Sequence, residues 1–132
     1  ANLSLFRSRV SGVPGPDNRL DQQPGATANL GLDGRVPGLP LTLGASLNWT
    51  PAYRTRVAEE QFAWQGRRVQ LDAFAQWRLA DGVQLRLSAS NLGAPDLQRE
   101  TALLDPDEAT LETARSSERG ALAWQLRLEL KL

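Results

Sequence analysis

The 132-residue sequence contains no cysteine and no histidine. Without cysteine there is no disulfide framework and no thiolate metal site, and without histidine the commonest general base and metal ligand is missing. No stretch approaches the roughly 18 consecutive apolar residues that a membrane-crossing helix needs. The opening ANLSLFRSRV lacks the features of a secretory signal. A β-barrel passes the helix test untouched, because only alternate residues of its strands must be apolar. Net charge is lacking too: fifteen basic residues balance fifteen acidic ones, so no global field draws the chain to nucleic acid or to an anionic surface.

What is present points to a folded, turn-rich, single-domain chain: 41% apolar residues with eleven glycines and eight prolines. The dominant signal is a period of two. Leu39, Leu41, Leu43, Ala45, Leu47 and Trp49 alternate with Thr42, Gly44, Ser46 and Asn48. Val69, Leu71, Ala73, Ala75, Trp77 and Leu79 alternate with Gln70, Asp72, Gln76 and Arg78, with Phe74 alone breaking the polar side. Val83 to Ala89 repeats the pattern, and Leu122, Trp124, Leu126, Leu128, Leu130 and Leu132 close the chain against Gln125, Arg127, Glu129 and Lys131. Residues 26–36 supply a fifth strand and residues 2–10 a sixth with poorer alternation. The clean runs at 39–49, 69–79 and 122–132 match the roughly 9 to 11 residues of a tilted bilayer-crossing strand, where soluble strands average nearer about 5 or 6.

The connections alternate in length. Long segments at 14–25, 50–68 and 92–120 interleave with tight ones at 37–40 and 80–82. Short turns on one rim and long loops on the other are how outer-membrane barrels are built. The expected fold is therefore all-β, an antiparallel meander of about six strands forming part of a transmembrane β-barrel; a soluble β-sandwich packing the same apolar faces together is the alternative. Six strands are too few for a complete barrel, the smallest of which has about eight. Because an outer-membrane protein needs an export signal, the chain is expected to be a fragment or a mature C-terminal piece. Trp49, Trp77 and Trp124 lie on the apolar face, as membrane-interface aromatics do, although a soluble core buries tryptophan in the same way.

Within 92–120, QRETALL and ATLETAR flank Asp105, Pro106, Asp107 and Glu108. This reads as a projecting hairpin, with a short helix capped by Asp105 as the competing reading. The same acidic group is better read as a solvated turn than as a calcium loop, since its spacing matches no full loop. No metal, cofactor or catalytic role is expected, because nothing sets a base beside a nucleophile. The candidate ligand-binding residues are Tyr53, Arg54, Arg56, Trp64, Arg67 and Arg68, which gather guanidinium groups and aromatics in the second long loop; the more ordinary reading of the arginines is loop charges balanced by Glu59 and Glu60, or contacts to lipopolysaccharide phosphates.

The stretches GPDNRLDQQPGATANLGLDGR, LPLTLGASLNWTPAYRTR and VQLRLSASNL resemble the C-terminal barrel strands of TonB-dependent outer-membrane receptors. The most specific element is an order of parts: a penultimate strand ending in Ser90, Asn91 and Leu92, a long loop, and a final alternating strand. The resemblance implies that residues 1–132 supply the final six strands of a 22-stranded barrel in the bacterial outer membrane, a receptor importing a siderophore-like ligand. It implies as partners the outer-membrane lipid, the remainder of the barrel, a plug domain, and a TonB-type energy-coupling protein engaged through N-terminal parts that this sequence does not match. One departure from the family pattern is Leu132, where such strands commonly end in an aromatic residue.

Overall fold

In the computed structural model, which describes residues 1–104 and 110–131, the chain is all-β. Ten strands form two antiparallel sheets. The first sheet has the order β1 (Asn2–Leu5), β2 (Ala26–Arg35), β3 (Leu41–Thr50), β6 (Arg68–Ala80), β7 (Val83–Ser90) and β10 (Ala123–Leu130). The second is β4 (Tyr53–Ala58), β5 (Gln61–Gln65), β8 (Leu97–Leu104) and β9 (Thr110–Glu118). The six-stranded sheet does not close on itself, so β1 and β10 are its edges.

Register carries the alternation of single strands into a continuous surface. Apolar residues pair with apolar residues across every ladder of the six-stranded sheet. Leu30 faces Leu47, which faces Leu71. Leu43 faces Ala75, which faces Leu87, which faces Leu126. A row nearer the tight turns runs through Leu41, Trp77, Leu85 and Leu128. A one-residue slip would move each strand's apolar set to the opposite face, so these pairings lock one another. The resulting face is open: Leu32 is 78% exposed, Leu126 67% and Trp124 64%. The buried apolar side chains are few, Phe62 and Ala89 among them.

The opposite face is polar, and its one discordant residue has a structural explanation. Phe74 sits opposite Gly44, and its ring lies where a Gly44 side chain would stand, so any Cβ there would collide with it. The Arg86 guanidinium covers the ring at 3.9 Å from its centroid, a cation–π contact. The glycine supplies the space and the aromatic ring fills it, the pairing by which strand glycines are rescued. We expect Gly44→Val to destabilise the sheet by about 1–3 kcal/mol through overpacking. Phe74→Ala in the same chain should recover much of that loss, an interaction read from a double-mutant cycle by denaturant titration.

All long connections leave one edge of the six-stranded sheet and both tight turns leave the other. Thr50 pairs with Arg68, and Ser90 with Ala123, at the end where the chain departs into the second sheet. At the other end, Val36 N–H donates to Leu41 O at 2.8 Å to close the Pro-Gly-Leu-Pro turn. The Asp81-Gly82 turn needs glycine twice over: φ of Gly82 is +77°, and a Cβ would come within 2.8 Å of Lys131 O.

The structure corrects several boundaries. The expected strand 2–10 pairs only over Asn2–Leu5. Beyond it the chain bends into a loop held by Asn18, whose side-chain amide donates to Val10 O and Val13 O, each at 3.0 Å. Strand lengths in this sheet range from four residues in β1 to thirteen in β6, so the uniform eleven of the alternating runs is a property of the pattern and not of the pairing. Segment 50–68, read as a loop, is the hairpin β4–β5. The expected hairpin within 92–120 is present as β8 and β9. Its tip, with Asp105, Pro106, Asp107 and Glu108, lies outside the described residues, as does Leu132.

Candidate functional site

The four-stranded sheet gathers most of the chain's concentrated chemistry on one face. Cross-strand register aligns Arg54, Trp64, Glu100 and Arg115 in one row, and Arg56, Phe62, Ala102 and Thr113 in the next. All of these except Arg56 line an open groove of about 690 Å³. Arg54 lies over Phe62 with its guanidinium carbon 3.9 Å from the ring centroid. Glu100 accepts from Arg115 Nε at 2.7 Å; with Arg115 77% exposed, the pair contributes under about 1 kcal/mol. Its effect is electrostatic, in that it neutralises the groove's carboxylate and leaves Arg54 as a cation beside two aromatic rings, with Arg99 also on the lining. Such a shelf suits a planar, anionic ligand, which can both stack and accept paired hydrogen bonds.

Of the six sequence-derived candidates, Arg54 and Trp64 meet in this groove. Arg56 shares their face but is only 8% exposed. Its Nε donates to Glu59 O at 3.0 Å, its Nη2 bonds the same carbonyl, and its Nη1 reaches Gly15 O at 3.5 Å. Its backbone N–H donates to Asp17 O at 2.8 Å. The Arg56 guanidinium is thus a clamp between the β4–β5 turn and the 10–18 loop, with its donors spent on carbonyls. Tyr53 pairs with Gln65 and, by alternation, belongs to the other face with Arg99. Arg67 and Arg68 lie at the junction of the two sheets.

Burial pushes the Tyr53 phenol above its ordinary 10.0, with the nearby Asp21 carboxylate adding to the rise and Arg99 opposing it. A raised acid holds its proton longer folded than unfolded, so its contribution to stability is full below pH 10.0 and is lost as pH climbs through the folded value. Tyr53 is the chain's single tyrosine, so tyrosinate absorbance reports it alone. The expected titration midpoint lies above that of the denatured chain; a midpoint at or below it contradicts the placement.

Phe62, Glu100 and Arg115 were not singled out by sequence. The hairpin register that pairs Gln98 with Ser117, Glu100 with Arg115 and Ala102 with Thr113 is what brings Glu100 and Arg115 together. In the six-stranded sheet Trp49 and Trp124 lie near the long-connection ends of their strands and Trp77 near the tight turns. Among the described residues, no group of three or more acidic side chains is arranged to hold a metal. Fold and site thus define an all-β chain of two antiparallel sheets, one carrying an apolar face and the other a cationic, aromatic groove. No protein-family model, curated protein or solved structure matches the chain.

Proposed function

We propose that the chain is the C-terminal six-strand wall segment of a transmembrane β-barrel in the bacterial outer membrane, belonging to a TonB-dependent receptor that imports a siderophore-like ligand. The observation that carries this reading is the continuous apolar face, apolar partner to apolar partner over six strands, with its leucines open to the surroundings. Burying those side chains in water-free surroundings is worth about 25 cal/mol per Å², and hydrocarbon supplies such surroundings without a second sheet. The segregation of long connections to one edge supports the same reading. The two unpaired edges, β1 and β10, would continue into the rest of the barrel, which removes their aggregation liability. The groove of the four-stranded sheet, reached only through the long connections, then faces outward as the ligand-recognising surface.

A soluble β-sandwich is the second reading, favoured by the division into two antiparallel sheets. Extraction separates the two. The full-length protein should remain with the membrane through salt and carbonate washes and require detergent for release. Recovery of folded protein in detergent-free buffer contradicts the barrel and supports the sandwich.

A further inference from the structure

We propose that the junction between the two sheets is a binding site for a phosphoryl group, separate from the cationic groove except that Arg99 borders both. A cavity of about 450 Å³ there is lined by Arg67, Arg68, Arg99 and Arg119. Its carboxylates are two, Asp96 and Glu118. Among the described residues none of these four arginines is ion-paired, and Asp96 is already engaged, accepting from Gly120 N–H at 3.0 Å. Four arginines against two carboxylates leave the cavity lining net positive, and the forked donors of arginine match phosphate oxygens.

The positions are set by backbone packed too closely to drift. Gly66 N–H donates to Gln98 O at 2.8 Å, and a side chain at Gly66 would press on that carbonyl at 3.1 Å. Gly120 is tighter still, since its Cβ position falls against the carbonyls of Ala94 and Pro95. Asn91 joins the two sides: its N–H donates to Asp72 Oδ1 at 2.9 Å and its side-chain amide to Ala121 O at 3.0 Å. Its φ of +60° and that of Ala94, +40°, lie in the left-handed region, a local cost that well-packed surroundings must sustain. Arg67 and Arg119 are each next to one of these glycines, and Arg68 opens β6. The convergence of cations therefore rests on rigid backbone.

A phosphoryl group could arrive on a soluble molecule or on a lipid headgroup at the edge of the apolar face. The test titrates the full chain, folded in maltoside detergent, with pyrophosphate. A second arm measures its association with phosphatidylcholine bilayers containing or lacking phosphatidic acid. Saturable binding is expected, displaced by sulfate. The Arg67→Gln/Arg119→Gln double variant should weaken it roughly tenfold or more, the effect of losing charge-assisted bonds. Arg35→Gln, at the opposite end of the sheet, should leave it unchanged. Preference for phosphatidic acid bilayers assigns the site to lipid, and pyrophosphate binding without that preference assigns it to a soluble phosphate. Should the double variant not fold, Arg99→Gln and sulfate displacement from the unaltered chain carry the test. No saturable binding in either arm, or equal loss in Arg35→Gln, overturns the proposal.

Discussion

Leu87→Arg is expected to cost roughly 2–4 kcal/mol of folding free energy in a bilayer, the penalty for a guanidinium on the lipid side of a barrel near mid-depth. Leu87 lies in the middle of the apolar face, flanked by Ala75 on one ladder and Leu126 on the other. The neighbouring Ser88→Arg should cost less than about 1 kcal/mol, because position 88 faces the polar side between Phe74 and Gln125. The same charge one residue along thus reports which surface meets lipid. Reversible denaturant titration in vesicles measures both. Equal costs at the two positions would contradict the assignment of faces.

Arg56→Ala is expected to loosen the β4–β5 hairpin and the 10–18 loop together, by about 1–3 kcal/mol. The estimate sets the lost charge-assisted bonds to Glu59 O and Gly15 O against relief from keeping a guanidinium out of water. Lost packing against Phe62, whose ring centroid is 5.0 Å from the guanidinium carbon, adds to the cost. Arg56→Lys should restore little, since one ammonium cannot reproduce a fork reaching two segments. Amide hydrogen exchange reads the result: protection in Tyr53–Ala58 and Gln61–Gln65 should fall roughly tenfold or more in Arg56→Ala, each tenfold being about 1.4 kcal/mol. It should hardly change in Arg54→Ala. Equal effects of the two substitutions would remove the distinction between clamp and groove residue.

That distinction was not legible in the sequence. Arg54 and Arg56 stand two residues apart in the same alternating face, and only the approach of a loop some forty residues earlier buries one of them. Long-range contacts of this kind leave no periodic trace. Alternation, by contrast, needs no tertiary information, which is why the four strands around Leu43, Ala75, Leu87 and Leu126 could be read directly with their faces. Phe74 looked like an error in that pattern until pairing placed Gly44 opposite it. The second sheet was half visible: the Asp-Pro turn and its flanking threonines marked the β8–β9 hairpin, while Tyr53, Arg54, Thr55 and Arg56 mix polar side chains on both sides and read as loop. The ladder joining β5 to β8 links segments from different connections, and no local signal announces it. The arginines of the junction cavity come from two separate connections for the same reason.

The central claim is that one face of the six-stranded sheet meets lipid. The absence of cysteine allows each single-cysteine variant to carry one spin label without background. Labels placed in turn at positions 83 to 90 of β7, in a reconstituted bilayer, should alternate with a period of two. Positions 83, 85 and 87 should be accessible to dissolved oxygen and shielded from a water-soluble nickel chelate, and positions 84, 86, 88 and 90 the reverse; Ala89 is buried by its own chain and does not report on lipid. Positions 83, 85 and 87 immobilised and shielded from both reagents would mean that protein covers that face, and would contradict the account.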